Sequence, residues 1–154
     1  MAFCLINKSN YFHNLALIEK KIQRKKIAVV LKNNAYGHGL VEMAQLASEY
    51  GIEHAVVNTL NESNLIQDLF KSILVLQDTP NSNKVRDNII ITINSISMLE
   101  RINPTTKVEL KVDTGMNRNG IMVKDLDRVL EIILKKKLIL NGVFTHFANA
   151  YIDD

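Results

Sequence analysis

The 154-residue chain has little of several residue types, and each scarcity excludes a class of protein. Cys4 is the only cysteine, which excludes an internal disulfide and a cysteine-based zinc site. Tryptophan is absent and aromatic residues make up 6%, so a core must be built mainly from Ile, Leu and Val. No run approaches the roughly 20 apolar residues of a membrane-spanning helix, and no signal-peptide pattern opens the chain. These absences predict a soluble, cytoplasmic protein without a membrane partner.

Charge gives no reason to expect a nucleic-acid partner. The net charge is only +3, and the two basic clusters are residues 24–26 and 135–137. Each cluster lies where a helical pattern ends, a position that favours cations through the helix dipole. A nucleic-acid surface would need basic side chains joined on one face with aromatic residues between them.

Apolar, β-branched runs alternate with helical patterns along the chain. Strands are predicted at residues 27–31, 54–58, 72–76, 89–93, 108–112 and 142–147. Helices are predicted at residues 11–22, 41–50, 61–70, 95–102 and 123–136, with Asn61 as the cap of the third. The alternation indicates βα units and a parallel sheet. An open doubly wound sheet would be complete at this length, whereas an eight-stranded barrel typically needs about 250 residues.

Four of the six glycines fall in two short segments, Gly37 and Gly39 in one and Gly115 and Gly120 in the other. Each segment directly follows a predicted strand, at the edge of a parallel sheet where ligands bind. The first begins with Lys32, which closes an apolar strand. An isolated lysine there is usually solvated, but the following Ala-Tyr-Gly-His-Gly places a phenol and a flexible backbone beside the amine.

The run from Lys32 to Gly39 resembles the signature of the alanine racemase family, a lysine and two residues followed by Ala-Tyr-Gly-His-Gly. The resemblance implies that Lys32 binds pyridoxal 5′-phosphate (PLP) as a Schiff base and acts as one of two catalytic bases. It also implies that Tyr36 donates a hydrogen bond to the cofactor phosphate. His38 is expected either to contact the cofactor or only to pack the loop.

The second segment, residues 111–120, is similar to the family's Lys-x-Asp-Thr-Gly-Met-x-Arg-x-Gly turn. The resemblance implies that Arg118 binds the cofactor and the substrate carboxylate, because a guanidinium holds planar anions with a fork of donors. In the family the lysine matching Lys111 can be carbamylated. The alternative is an unmodified lysine paired with Asp113 or Glu109. Asn119 stands where the family usually has an apolar residue, so packing behind the turn is expected to differ.

The third segment, Thr-His-Phe-Ala at residues 145–148, resembles a family stretch that places His146 against the pyridine ring. Taken alone, a histidine in a strand is more often a satisfied core residue. Lys32, Arg118 and His146 come at the ends of three different predicted strands, as in a barrel active site. No metal is expected, since the four histidines lack ligand spacing, and no P-loop is present.

The resemblance implies a TIM-like (β/α)8 barrel of the fold-type III PLP enzymes, here incomplete with about six βα units. Residues 1–154 are expected to form the N-terminal part of the PLP-binding barrel, without its last strands and without the C-terminal β domain. The second catalytic base, a tyrosine of that domain in the family, cannot be assigned here. The isolated chain is therefore expected to be poorly stable and inactive, whereas full-length members form homodimers.

The expected function is a PLP-dependent alanine racemase that interconverts L-alanine and D-alanine and supplies D-alanine for peptidoglycan of the cell wall. Two other functions stay open. A non-catalytic PLP-binding or PLP-homeostasis barrel would keep the first-strand lysine but generally lacks Ala-Tyr-Gly-His-Gly. A Schiff-base aldolase would use Lys32 without a cofactor and would not need the turn at Arg118. An interaction domain without a small-molecule site is the least specific alternative.

Overall fold

Parallel strands alternate with helices in a computed structural model, which describes residues 4–80 and 85–149. The fold divides into two units, of which the first ends at Val75 and the second begins at Leu76. Each unit has its own parallel strands and its own buried side chains. In the described part of the chain, no helix is both long and apolar enough to span a bilayer.

The first unit contains three parallel strands. Its elements are, in order, α1 (Lys8–Glu19), a 3-10 turn (Arg24–Lys26), β1 (Ala28–Val30), α2 (Lys32–Tyr36), α3 (Leu40–Tyr50), β2 (His54–Val57), α4 (Leu60–Ile66) and β3 (Ser72–Val75). The register across the strands aligns Val29 with Ala55 and Ala55 with Ile73. These three residues are buried, so one side chain from each strand contributes to the same layer of the core.

The second unit is arranged around a central strand. Its elements are, in order, β4 (Ile89–Ile93), α5 (Ile96–Arg101), β5 (Lys107–Asp113), β6 (Ile121–Met122), a 3-10 turn (Val123–Asp125), α6 (Leu126–Lys135) and β7 (Ile139–Phe144). Strand β5 pairs in parallel with both β4 and β7. The register aligns Ile91 with Val108 and Val108 with Leu140. The short β6 pairs with the end of β5.

Aliphatic side chains form the core of both units. In the first, Ala44, Ala47 and Val57 have no exposed surface, and in the second the same holds for Ile91 and Leu99. Every residue of β4 is buried, which is typical of a parallel strand covered on both faces. Burying one Val, Leu or Ile side chain contributes about 1.5–3 kcal/mol, so these residues supply the main driving force for folding.

The predicted elements are largely confirmed, with shifts at their ends. The strand predicted at 89–93 has those bounds, and those predicted at 54–58 and 72–76 each end one residue earlier. The last strand occupies residues 139–144 rather than 142–147, because α6 ends at Lys135 and the chain turns back at Leu138. The two-residue β6 was not predicted, since so short a strand leaves no periodicity in the sequence.

Candidate functional site

Lys32 lies two residues beyond the carboxyl end of β1 and is half-buried. The preceding residue, Leu31, is 3% exposed and donates its N–H to the carbonyl of Val56 at 2.8 Å. The hydrogen-bond ladder between β1 and β2 therefore extends to the residue before the lysine. The sheet thus fixes the Cα atom of Lys32, whereas the amine of Lys32 lies beyond the strand, near the Tyr36 ring.

The turn that follows Lys32 is left-handed. Asn33, Asn34, Ala35 and Tyr36 have φ values between 51° and 56°. The N–H of Ala35 donates to the carbonyl of Leu31 at 2.8 Å, which closes one helical turn of the unusual hand. This conformation costs an L-residue about 1–2 kcal/mol, less for asparagine, whose short polar side chain tolerates it. Such strain persists only where the surrounding structure enforces it, and it concentrates at functional sites.

The left-handed turn brings Lys32 and Tyr36 together. The Nζ atom of Lys32 lies 5.8 Å from the centre of the Tyr36 ring, within the range of a cation–π contact. Tyr36 is 61% exposed, so its hydroxyl can reach a ligand. His38 donates from Nδ1 to the carbonyl of Ala35 at 2.8 Å. This bond makes His38 part of the packing of the loop, one of the two roles expected for it.

Sequence reasoning missed two residues that hold this turn, Asn34 and Glu62. The side chain of Asn34 accepts the N–H of Leu40 through Oδ1 at 2.8 Å, and the N–H of Asn34 donates to Glu62 at 3.0 Å.

Helix α4 is capped by Thr59, not by Asn61 as predicted, and Thr59 and Glu62 form a reciprocal capping box. The signal was present as Thr-x-x-Glu, a pattern that marks helix starts.

In the second unit, the turn after β5 is held by Asp113. Its carboxylate accepts the backbone N–H of Gly115 at 2.9 Å and of Asn117 at 3.0 Å. These two backbone hydrogen bonds, with a smaller contribution from the charge of Lys111, hold the pKa of Asp113 below its usual range. Asn117 has a φ of 53°, which suits asparagine. The turn therefore carries its own acceptor in its first residue.

Gly120 closes the same turn where the backbone runs against β5. Its φ is 131°, and a Cβ atom there would lie 2.8 Å from the backbone nitrogen of Asp113. The N–H of Gly120 donates to the carbonyl of Asn94 at 3.1 Å. The motif needs glycine here for two reasons, the positive φ and the close approach of two backbone segments.

Lys111 is 6% exposed, and its amine donates to the side-chain oxygen of Asn119. Sequence reasoning considered Asp113 and Glu109 as partners and did not predict this contact. Glu109 accepts a hydrogen bond from the side chain of Asn141 at 2.9 Å. Asn119, at which packing behind the turn is expected to differ from the family, thus makes a polar contact with Lys111. Carbamylation of Lys111 stays a prediction.

Arg118 and His146 are both exposed and follow neighbouring strands of the second unit. Strands β5 and β7 are parallel, with Lys111 aligned to Phe144, so both segments leave the same edge of this unit. The hydroxyl groups of Thr114 and Thr145 are 2.7 Å apart and link the two segments directly. The structure thus brings the turn that carries Arg118 and the stretch that carries His146 together. The described residues contain no group of three or more potential metal ligands.

Comparison with known proteins gives consistent results. Residues 6–154 match the family model described as alanine racemase, N-terminal domain. The chain is 43% identical to the alanine racemase of Nitratiruptor sp. over 151 residues, which cover 97% of this chain and 44% of that protein. The chain thus spans less than half of the length of this curated relative.

Solved structures show the same likeness. An alanine racemase from Bacillus anthracis superposes with a TM-score of 0.81 at 27% identity, covering 96% of this chain and 43% of that one. A histidine racemase from Leuconostoc mesenteroides gives 0.79 at 31% identity, covering 92% and 42%. These matches confirm the predicted fold class, the α/β barrel, and the chain covers less than half of each of the two matched structures.

Proposed function

Because the chain belongs to the alanine racemase family, we propose that it carries part of the active site of a PLP-dependent racemase that interconverts L-alanine and D-alanine. One observation supports this most strongly. The half-buried Lys32 lies at the carboxyl end of β1, and a strained turn holds the Tyr36 ring 5.8 Å from its amine. A lysine at this position is suited to condense with an aldehyde, and a nearby phenol is suited to bind a phosphate.

The residues present fit PLP. Lys32 offers a primary amine for the aldehyde group, and Tyr36 offers an exposed hydroxyl for the phosphate. A Cβ atom at Gly37 would meet no atom within 4 Å, so the turn leaves open space at the residue after Tyr36. The family motifs that contain Arg118 and His146, both exposed, support the assignment of these two residues to the same cofactor.

Each side chain then has a distinct task. When bound, PLP makes the Cα proton of an amino acid acidic by withdrawing electrons from that carbon. The amine of Lys32 accepts or returns this proton at Cα on one face of the substrate. The hydroxyl of Tyr36 donates to the phosphate, and Arg118 binds the substrate carboxylate through its fork of N–H groups. Racemisation requires a second base on the opposite face, and we assign none of the described residues to it.

Several wider statements belong to the same proposal. Residues 1–154 would form the N-terminal part of the PLP-binding barrel domain. The whole protein would act in the cytoplasm as a homodimer, and its D-alanine would serve peptidoglycan synthesis. Membership of the family supports these statements.

The cofactor role of Lys32 can be tested by spectroscopy. We expect the protein mixed with PLP to give the visible absorbance of a lysine-bound cofactor, and Lys32→Ala to lose it. Lys21→Ala is the matched control, because Lys21 is an exposed lysine of the same unit and should leave the band unchanged. A band that survives in Lys32→Ala would show that another lysine binds the cofactor.

The likeness to a histidine racemase supports a second candidate substrate. Measuring D-alanine formation from L-alanine and D-histidine formation from L-histidine, with the whole protein, separates the two activities. Turnover of neither amino acid, despite a lysine-bound cofactor, would favour the non-catalytic PLP-binding function.

A further inference from the structure

The left-handed turn after Lys32 receives support from a distant carboxylate. The N–H of Asn34 donates to one oxygen of Glu62 at 3.0 Å, although the two residues are 28 positions apart. Glu62 lies in the first turn of α4 and is half-buried. The chain therefore supplies this N–H with a charged acceptor from a different βα unit.

The second oxygen of the same carboxylate is also engaged. It accepts the N–H of Asn58 at 2.8 Å and of Thr59 at 3.2 Å, while the hydroxyl of Thr59 accepts the N–H of Glu62 at 3.2 Å. The backbone N–H groups of Asn58 and Thr59 thus fix the Glu62 side chain at the start of α4. Its remaining oxygen is thus held in place as an acceptor for the turn.

The turn needs such restraint because its conformation is intrinsically unfavourable. Four consecutive non-glycine residues have positive φ, and Ala35 and Tyr36 lack the side chain that makes this tolerable for asparagine. Hydrogen bonds from N–H groups to a carboxylate are about twice as strong as those between neutral groups. The bond to Glu62 therefore adds a strong restraint to the hydrogen bonds that the turn makes with Leu31 and Leu40.

We propose that Glu62 is a positioning residue for the Lys32 site, because its carboxylate fastens the left-handed turn to the start of α4 and thereby sets the place of Tyr36. Glu62 acts on the backbone of Asn34 and does not itself bind the ligand. Only the consequence for cofactor binding rests on the proposed function, since the restraint of the turn exists without any ligand.

Two substitutions separate this role from helix capping. Glu62→Gln keeps the size of the side chain but replaces one acceptor oxygen with an NH2 group, so Asn34 loses its partner when the remaining oxygen caps α4. Thr59→Ala is the matched control, because it removes the other half of the capping box and leaves Glu62 available to Asn34.

Amide hydrogen exchange of the ligand-free protein gives the first readout. We expect the protection of the Asn34 amide to fall about tenfold or more in Glu62→Gln and to change less than about threefold in Thr59→Ala. Equal protection in Glu62→Gln and the parent would overturn the proposal, as would an equal loss in both variants. Glu62→Ala repeats the test, and the parent by itself must show a protected Asn34 amide.

Cofactor binding gives the second readout. In Glu62→Gln the dissociation constant of PLP, titrated by its visible band, should rise about tenfold, while Thr59→Ala binds as the parent does. Loss of Asn34 protection without weaker PLP binding would refute the link to the site. Absence of the band in the parent would refute the proposed function, and the exchange result would still decide the role of Glu62.

Discussion

The two glycine-containing turns of this protein follow parallel strands in the same way but are held by different means. The turn after β1 depends on Glu62, which lies 28 residues from the amide it binds. The turn after β5 depends on Asp113, which binds amides two and four residues further on. The first is thus shaped by tertiary structure and the second largely by its own sequence. The contrast is sharpest in their strain, since the first turn holds Ala35 and Tyr36 at positive φ and the second uses glycine and asparagine.

Gly120→Ala should have the largest effect on stability, because it disrupts the close backbone contact that ends the second turn. The new Cβ would lie 2.8 Å from a backbone nitrogen at a φ of 131°. We expect a loss of about 3 kcal/mol in the free energy of unfolding, measured by urea titration. Gly115→Ala is the control, since its φ is 126° but nothing lies within 4 Å, and it should cost about 1–2 kcal/mol. Equal losses would show that backbone contact is unimportant at Gly120.

Asn34→Ala tests the first turn and should have the next largest effect. The substitution leaves the N–H of Leu40 without its acceptor and puts alanine at a φ of 56°. We expect a loss of about 2 kcal/mol in the free energy of unfolding. Asn33→Ala changes an exposed residue at a φ of 55° and should cost only about 0.5–1 kcal/mol. Similar values for both would mean that backbone preference alone, without the Leu40 contact, stabilises the turn.

Asp113 should make the second turn sensitive to acid. Its pKa is lowered in the folded protein, so the stabilisation is complete above the ordinary carboxyl pKa and is lost as pH falls through the folded value. Asp113→Asn should therefore be less stable than the parent at neutral pH, and the difference should shrink between about pH 5 and pH 2. Urea midpoints of both proteins across this range provide the measurement. A constant difference would mean that the charge of Asp113 does not contribute.

Tyr36→Phe should have the smallest effect on stability while still affecting the ligand. Tyr36 is 61% exposed, so removing its hydroxyl should change the free energy of unfolding by less than about 0.5 kcal/mol. Under the proposed function, the dissociation constant of PLP should nevertheless rise about tenfold, because the phosphate loses a donor. Unchanged PLP binding would remove Tyr36 from the site.

The strands and the lysine that follows β1 could be found from the sequence, because apolar periodicity and strand-end motifs depend on a few neighbouring residues. The last strand was predicted three residues too far along the chain, at 142–147 instead of 139–144, since the turn of the chain at Leu138 has no recognisable sequence pattern. Sequence reasoning placed the cap of α4 at Asn61, because either Asn61 or Thr59 could cap a helix and only the fold selects one. For Lys111 the sequence left open carbamylation and pairing with Asp113 or Glu109, and the structure adds a contact with Asn119 that was not predicted.

The sequence by itself determined the alternation of strands and helices, the family and the residue types that its turns require. Asn33, Asn34, Asn117 and Gly120 mark positions of positive φ, and Asp113 lies within reach of its own turn. Only the tertiary structure decided that the turn after Lys32 is left-handed through Tyr36 and is fastened by Glu62. The physical reason is the separation along the chain of the residues that form each hydrogen bond. A hydrogen bond between neighbours is encoded in their spacing, whereas a bond across 28 residues exists only after β1, β2 and α4 have packed together.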